Sequence, residues 1–218
     1  MDKLKVIIVE DHPIFRKGLA LLIEQTKEYQ VVGEASSVKE AIELIEQNTP
    51  DITIIDLTLK ESNGLDLIKE LKTSSPNVKI LVISMHDEDI YAERVLRAGA
   101  HGYIMKEQAS TNTIDALNTI MENRYYISQS IQEKLLQSTI SVSKKSSESA
   151  IYSLSDREFQ VFQLIGQGLG VIEIASQLSL SVKTIESYRN NLKIKLKLND
   201  AAALRKFAIR WLQTKPRG

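Results

Sequence analysis

Three carboxylates, a hydroxyl and an amine each follow directly on a short apolar run. Val6-Ile7-Ile8-Val9 ends on Glu10-Asp11, Ile52-Thr53-Ile54-Ile55 on Asp56, Ile80-Leu81-Val82-Ile83 on Ser84, and Gly102-Tyr103-Ile104-Met105 on Lys106. Carboxylates brought close together repel one another, so a hard cation that prefers oxygen is their natural occupant. Mg²⁺ fits, because it accepts a few carboxylates and keeps waters and phosphate oxygens as its other ligands. Beside such a cation Asp56 can attack a phosphoryl group, whose oxygens need positive charge around them. Lys106 supplies more of that charge, and the Ser84 hydroxyl can hydrogen-bond the product. A lone aspartate at a strand end is ordinarily a turn or cap residue. Polar residues at four matching strand ends argue instead for a site centred on Asp56. His12, His86 and His101 have no metal-ligand spacing, and His12 reads as a rim residue beside the acids.

The elements that must position these groups are legible in the same runs. Continuous β-branched stretches without alternation read as strands buried on both faces, the signature of a parallel sheet. In open parallel sheets chemistry collects outside the carboxyl ends of the strands. Strands over Lys5–Val9, Tyr29–Ala35, Ile52–Ile55, Ile80–Ile83 and Gly102–Met105 alternate with helices over Pro13–Thr26, Val38–Gln47, Leu65–Thr73, Ile90–Ala98 and Thr111–Asn123. Pro13 suits a first helical turn, Ser37 an N-cap and Gly99 a left-handed stop. Ile14, Leu19, Leu22 and Ile23 are expected to form the apolar face of the first helix. The class is α/β: a doubly wound five-stranded parallel sheet, followed by a small all-α domain.

Composition divides the chain in the same way. Residues 1–127 carry 14 Lys/Arg against 21 Asp/Glu, whereas residues 153–218 carry 11 against 5. An acidic front and a basic back imply modules with different partners, the basic one a candidate for phosphate backbones. There is no cysteine, which excludes disulfides, thiolate zinc sites and cysteine nucleophiles. Neither a leader pattern nor an apolar run near the roughly 20 residues of a membrane span is present, so a cytoplasmic protein that makes no use of a membrane is expected. Residues 124–152 read as a linker, partly helical through Ile131, Leu135 and Leu136 and then serine-rich over Ser138–Ala150.

From Leu154 the pattern is purely helical. Ser155 stands three residues before Glu158, a capping-box spacing, and that helix reaches Gly166. Helices over Val171–Leu178, from Val182 to Leu196, and over Asp200–Leu212 follow. The break Ser179-Leu180-Ser181-Val182 between the second and third fits a helix-turn-helix. On the third helix Ile185, Leu192 and Leu196 share a core face, while Lys183, Glu186, Ser187, Asn190 and Lys197 lie opposite. Asn190 suits adenine and Glu186 cytosine; Lys183, Arg189 and Lys193 suit phosphates. Small residues Ala201 and Ala202 on the last helix would permit close approach of a second copy.

These residues resemble two known families. The acid pair Glu10-Asp11, Asp56, Ser84-Met85-His86-Asp87 and Gly102-Tyr103-Ile104-Met105-Lys106 make residues 1–123 similar to a response-regulator receiver domain, a flavodoxin-like fold. The resemblance implies Mg²⁺ held by Glu10, Asp11, Asp56 and the Thr58 backbone carbonyl. It further implies phosphorylation of Asp56 by a sensor histidine kinase, Ser84 and Lys106 on the phosphoryl oxygens, and Tyr103 as a rotameric switch. Lys60 and Glu107 depart from prolines often found at those positions. Leu154-Ser155-Asp156-Arg157-Glu158, Gln167-Gly168-Leu169, Glu173-Ile174-Ala175 and Leu180-Ser181-Val182-Lys183-Thr184-Ile185 resemble the LuxR-type helix-turn-helix. Together the halves resemble the NarL/FixJ class: domains 1–123 and 153–218, DNA contacts including Thr184 and Ser187, and a homodimer on two half-sites about one helical turn apart. An aspartyl-phosphate hydrolase would carry a second acid two residues beyond Asp56; Thr58 stands there, so no enzyme is expected.

Overall fold

The computed structural model describes residues 2–59, 62–140, 150–151 and 154–214. Lys60 and most of the serine-rich stretch 138–150 lie outside the described residues. The chain divides into two compact units, Met1–Ile140 and Ser141–Gly218.

In the first unit, β1 (Leu4–Val9), α1 (Pro13–Glu24), β2 (Tyr29–Ala35), α2 (Val38–Asn48) and β3 (Ile52–Ile55) come in strict alternation. A two-residue antiparallel pair, β4 (Thr58–Leu59) and β5 (Ser62–Asn63), then precedes α3 (Gly64–Ser74). After it come β6 (Lys79–Ser84), α4 (Glu88–Ala98), β7 (Gly102–Met105), a 3₁₀ turn over Lys106–Gln108 and α5 (Ala109–Met121). The main sheet has the order β2-β1-β3-β6-β7 with every pair parallel. Order reverses between β1 and β3, so the crevice expected of such a sheet opens where Glu10-Asp11 and Asp56 leave their strands. Val6, Ile7, Ile8 and Val9 are all 0% exposed, which explains the absence of alternation in their sequence. Val6, Ile8, Ile54, Leu81, Ile83 and Ile104 meet Leu19, Ile23, Leu117 and Ile120 of α1 and α5 on one face. Ser37 caps α2 by accepting from the Glu40 N–H, and Gly99 ends α4 with φ of 123°.

Ile14 departs from the expected apolar face of α1: it is 90% exposed. Five residues before Leu19, it lies about 140° around the helix from it, and Leu19, Ala20 and Ile23 are the residues buried. The partly helical segment after residue 123 also has more structure than a linker. Tyr126 forms a bridge with Gly102 beside the edge strand β7. Helix α6 (Gln129–Ile140) packs on α4, where Lys134 Nζ lies 2.6 Å from Asp89 Oδ2. The first compact unit therefore runs past residue 123.

The second unit contains α7 (Asp156–Gly166), α8 (Val171–Gln177), α9 (Val182–Leu196) and α10 (Ala201–Thr214). The capping box forms as the spacing implies: Ser155 Oγ accepts from the Glu158 N–H and Glu158 Oε2 from the Ser155 N–H. An aromatic cluster joins α7 to α10, with Trp211 edge-on to Phe159 and Phe162 at centroid separations of 5.8 and 5.5 Å. Gly166 lets these helices approach, since a Cβ there would lie 2.8 Å from the Ala208 carbonyl oxygen. Between α8 and α9 the chain turns through Ser179 at φ of 53°, and the Leu180 N–H returns to the Ala175 carbonyl. That closes the last turn of α8 in the manner of a left-handed cap.

Candidate functional site

The Asp56 N–H donates to the Val9 carbonyl, which locks the end of β3 beside the end of β1. Asp56 and Glu10 are consequently both 2% exposed and lie together. Lys106, delivered from the end of β7, passes across the end of β6. Its Nζ lies 2.8 Å from Asp56 Oδ2 and 2.6 Å from Glu10 Oε2. The Phe15 ring of α1 faces the same ammonium, with its centroid 4.7 Å away, a cation–π contact. The Thr58 N–H donates to Asp56 Oδ1 at 3.2 Å. Arg16 Nη1 donates to the Glu10 carbonyl at 2.5 Å while its Nε reaches Glu34, fixing the turn that carries the acid pair.

Ligand atoms of Glu10, Asp11, His12 and Asp56 all lie within 4.8 Å of one another. One lysine is too little charge for three carboxylates. Burial pushes the Asp56 carboxyl above the usual aspartate range, and the Lys106 hydrogen bond recovers only part of that. Burial also works against the Lys106 charge, but its bonds to Asp56 and Glu10 outweigh it and hold the ammonium above the ordinary lysine value. The two directions agree once the pocket is seen as short of positive charge rather than as a balanced pair. Asp11 Oδ1 makes the same point. It is buried and has no hydrogen-bond partner among the described residues, although His12 Nδ1 lies 2.9 Å away and is directed to Glu10 Oε1 at 2.8 Å. An orphaned buried carboxylate oxygen beside two others is the donor set of a hard divalent cation. His12 stands at the rim, its side chain 64% exposed.

Ser84 is fully buried at the end of β6 and accepts from the His86 N–H at 3.3 Å. Tyr103 points inward: its hydroxyl donates to the His86 carbonyl at 2.7 Å, and burial pushes its phenol well above the ordinary tyrosine value. His86 in turn stacks on Tyr91 of α4 and meets the Thr58 hydroxyl at 3.1 Å. Glu10, Asp11, Asp56 and Lys106 are thus brought together, with Thr58 in β4, Ser84 at the end of β6 and Tyr103 in β7 beside them. Three contributors escaped the sequence reading: Phe15, Arg16 and Gly64. A Cβ at Gly64 would lie 2.1 Å from the Asp56 carbonyl oxygen, so the loop carrying Asp56 closes only over glycine. The Asn63-Gly64 dipeptide, a turn signal, could have found it.

In the second unit, Lys183, Glu186, Ser187 and Asn190 are exposed on α9, while Thr184, Arg189 and Lys193 are half-buried. Ile185, Leu192 and Leu196 are buried. Thr184 belongs to the cap, its Oγ1 2.7 Å from Ser181 Oγ. Arg189 pairs with Glu186 at 3.0 Å, so each must exchange that partner to meet a base or a phosphate. The Ser187 hydroxyl donates to the Lys183 carbonyl.

A doubly wound sheet with an acid pocket at its switch point, followed by a helix-turn-helix, defines a class: proteins that join a receiver to a DNA-binding unit. Residues 6–118 match the response regulator receiver domain, and residues 152–208 match the luxR family of bacterial regulatory proteins. The chain belongs to the NarL/FixJ family of two-component response regulators, which are DNA-binding transcription regulators and not enzymes. It is 33% identical over 207 residues to the response regulator UvrY of Escherichia coli, covering 95% of this chain and 94% of that one. With the nitrate/nitrite response regulator protein homolog of Haemophilus influenzae it shares 34% over 204 residues, or 93% and 94% of the two chains. Among solved structures, the Salmonella typhimurium RcsB response regulator has a TM-score of 0.68 at 28% identity, covering 96% and 98%. RcsB bound to promoter rprA in the presence of phosphomimetic BeF3- has a TM-score of 0.65 at 27% identity, covering 95% and 99%. Among the described residues, no helix is long and apolar enough to cross a membrane.

Proposed function

We propose that Asp56 accepts a phosphoryl group from a sensor histidine kinase and that this modification controls DNA binding by the second unit. The observation that carries the reading is Lys106 Nζ held between Asp56 and Glu10 beside the orphaned Asp11 oxygen. An Asp56 carboxylate oxygen forms a bond to phosphorus while the bond from phosphorus to the kinase imidazole nitrogen breaks, and that nitrogen keeps the electron pair. Lys106 remains on the phosphoryl oxygens as charge builds on them, and the Ser84 hydroxyl donates to another. Glu10, Asp11, Asp56 and the Thr58 carbonyl would hold Mg²⁺, which supplies the remaining positive charge. Tyr103, already anchored at the His86 carbonyl, reports the state of the site to α4.

On the other unit, Lys183, Arg189 and Lys193 serve the phosphate backbone, while Glu186, Ser187 and Asn190 face base edges, with Thr184 at the helix start. RcsB has been solved as two dimers bound to two parallel DNAs; by that likeness this chain acts as a homodimer on two half-sites, in the cytoplasm where the DNA lies. On this reading residues 1–123 are the receiver, with 124–140 packed on it as part of the same unit, and 153–218 are the DNA-binding domain. Intact mass after incubation with acetyl phosphate and Mg²⁺ tests the first step. A gain of one phosphoryl group, lost in Asp56→Ala and on chelation, is expected; an unchanged wild-type mass would refute it.

A further inference from the structure

Two lysines, Lys193 and Lys195, stand in the last turn of α9, and a third, Lys197, caps it. At about 100° per residue, Lys195 lies about 160° around α9 from Lys193, whereas Lys197 is the left-handed C-cap beyond the helix, at φ of 55°. Lys195 therefore points to the far side of the helix, about 140° around from Asn190 and opposite Glu186. There its Nζ donates to Glu158 Oε2 at 2.7 Å. That oxygen is the one that also accepts from the Ser155 N–H at 2.8 Å to complete the capping box of α7. The Glu158 side chain is only 5% exposed, so the carboxylate is pinned at the start of α7 before Lys195 arrives. We infer that Glu158 and Lys195 are positioning residues that set the rotation of α9 about its own axis, and that Lys195 is not one of the lysines that meet the DNA backbone.

The physical need for such a bracket follows from the rest of the contact. Ile185, Leu192 and Leu196 hold α9 to the unit through apolar surface, and apolar packing is non-directional. A directed ion pair with one buried partner resists the small rotations that packing alone tolerates, which is the role in which buried charge contributes specificity rather than stability. Rotation of a recognition helix moves every base-reading side chain at once, whereas phosphate contacts made by long lysines follow the movement. Losing the bracket should therefore blunt discrimination between sequences more than it weakens binding to DNA in general. The hydrogen bond to Lys195 and those to Ser155 offset the burial of the carboxylate and keep Glu158 below the usual glutamate range, consistent with an ionised bracket at neutral pH.

The inference rests on the DNA-binding reading above, and the experiment separates the two. The full-length wild-type chain is used to enrich a duplex from a random pool. Affinity for that duplex and for a shuffled duplex of equal composition is then measured over a range of salt concentrations. Glu158→Gln keeps an acceptor for the Ser155 N–H but removes the charge; Lys195→Gln removes the other partner. Each should lower the ratio of the two affinities by about tenfold, with the double variant no worse than either single one. In Lys195→Gln the slope of log affinity against log salt should stay at the wild-type value. All comparisons are made at a temperature where circular dichroism shows each variant fully folded, so general destabilisation does not enter the ratio. A slope smaller by about 1 in Lys195→Gln would make it a backbone contact and overturn the inference, as would an unchanged ratio in both variants. If the wild type enriches no duplex, the DNA-binding reading falls and takes this one with it.

Discussion

Asp56 is held where its charge is least comfortable, and that discomfort is the source of its affinity for cations and phosphoryl groups. Its folded-state pKa is raised by burial, so ionisation costs stability: the penalty is absent below the unfolded aspartate value and complete above the folded one. Asp56→Asn in chelator should therefore be more stable than wild type near neutral pH, by about 1 kcal/mol, and the gap should close as pH falls through the aspartate range. Mg²⁺ should reverse the order, since a ligand at a hundredfold excess over its Kd stabilises by about 2.7 kcal/mol. Urea titrations with and without Mg²⁺ measure both, and a wild type indifferent to Mg²⁺ would contradict the cation site. Glu10, Asp11, Asp56, Ser84 and Lys106 were visible in sequence because each interrupts a buried run at the same point. Gly64 was not, because the Asn63-Gly64 pair signals only a turn, and the close approach of a Cβ there to the Asp56 carbonyl is a distance between residues eight apart. Gly64→Ala should cost about 2 kcal/mol or more through that clash and slow labelling by acetyl phosphate, whereas Gly18→Ala, where a Cβ meets nothing within 4 Å, should do neither.

Elements were legible where one local rule decided them. Parallel strands with no alternation, Ser37 and Ser155 at N-caps, and Gly99 at a helix end each need only neighbours within a few residues. What needed tertiary information was less visible. Ile14 sits in an apolar-looking helix start, yet its angle around α1 points it to solvent. Helix α6 has weak periodicity; the Tyr126 bridge anchors the segment that leads into it and Lys134 on Asp89 ties down the helix itself, contacts that no window of sequence contains. At Ser155 local and tertiary roles coincide, because its partner Glu158 also takes Lys195. Ser155→Ala should cost about 1 kcal/mol as an ordinary lost cap, read from thermal unfolding of the second unit by the fluorescence of Trp211, the only tryptophan. A loss no greater than at an exposed serine such as Ser187 would show that the box contributes nothing beyond its geometry.

For the whole molecule the acidic and basic halves must be joined by one equilibrium if phosphorylation is to control DNA binding. A phosphoryl group adds nearly two negative charges and a few charge-assisted hydrogen bonds, enough to bias a two-state element by several kcal/mol. Shifting a population from about 1:99 to 99:1 takes about 5.5 kcal/mol of differential affinity, so a partial shift of tenfold to a hundredfold is the realistic scale. Linkage makes this strict, because coupling between two binding events is reciprocal. Beryllofluoride with Mg²⁺ occupies an aspartate without a covalent bond and so allows the cycle to be closed. The factor by which it raises affinity for an enriched duplex should equal the factor by which that duplex raises affinity for beryllofluoride, and both should vanish in Asp56→Ala. Titration calorimetry of the full-length chain at fixed salt, with protein concentration held constant so that dimerisation enters both legs alike, gives the two ratios. Two ratios of one would mean the acid pocket and the helix-turn-helix work independently, and the control proposed here would be wrong even if Asp56 is phosphorylated.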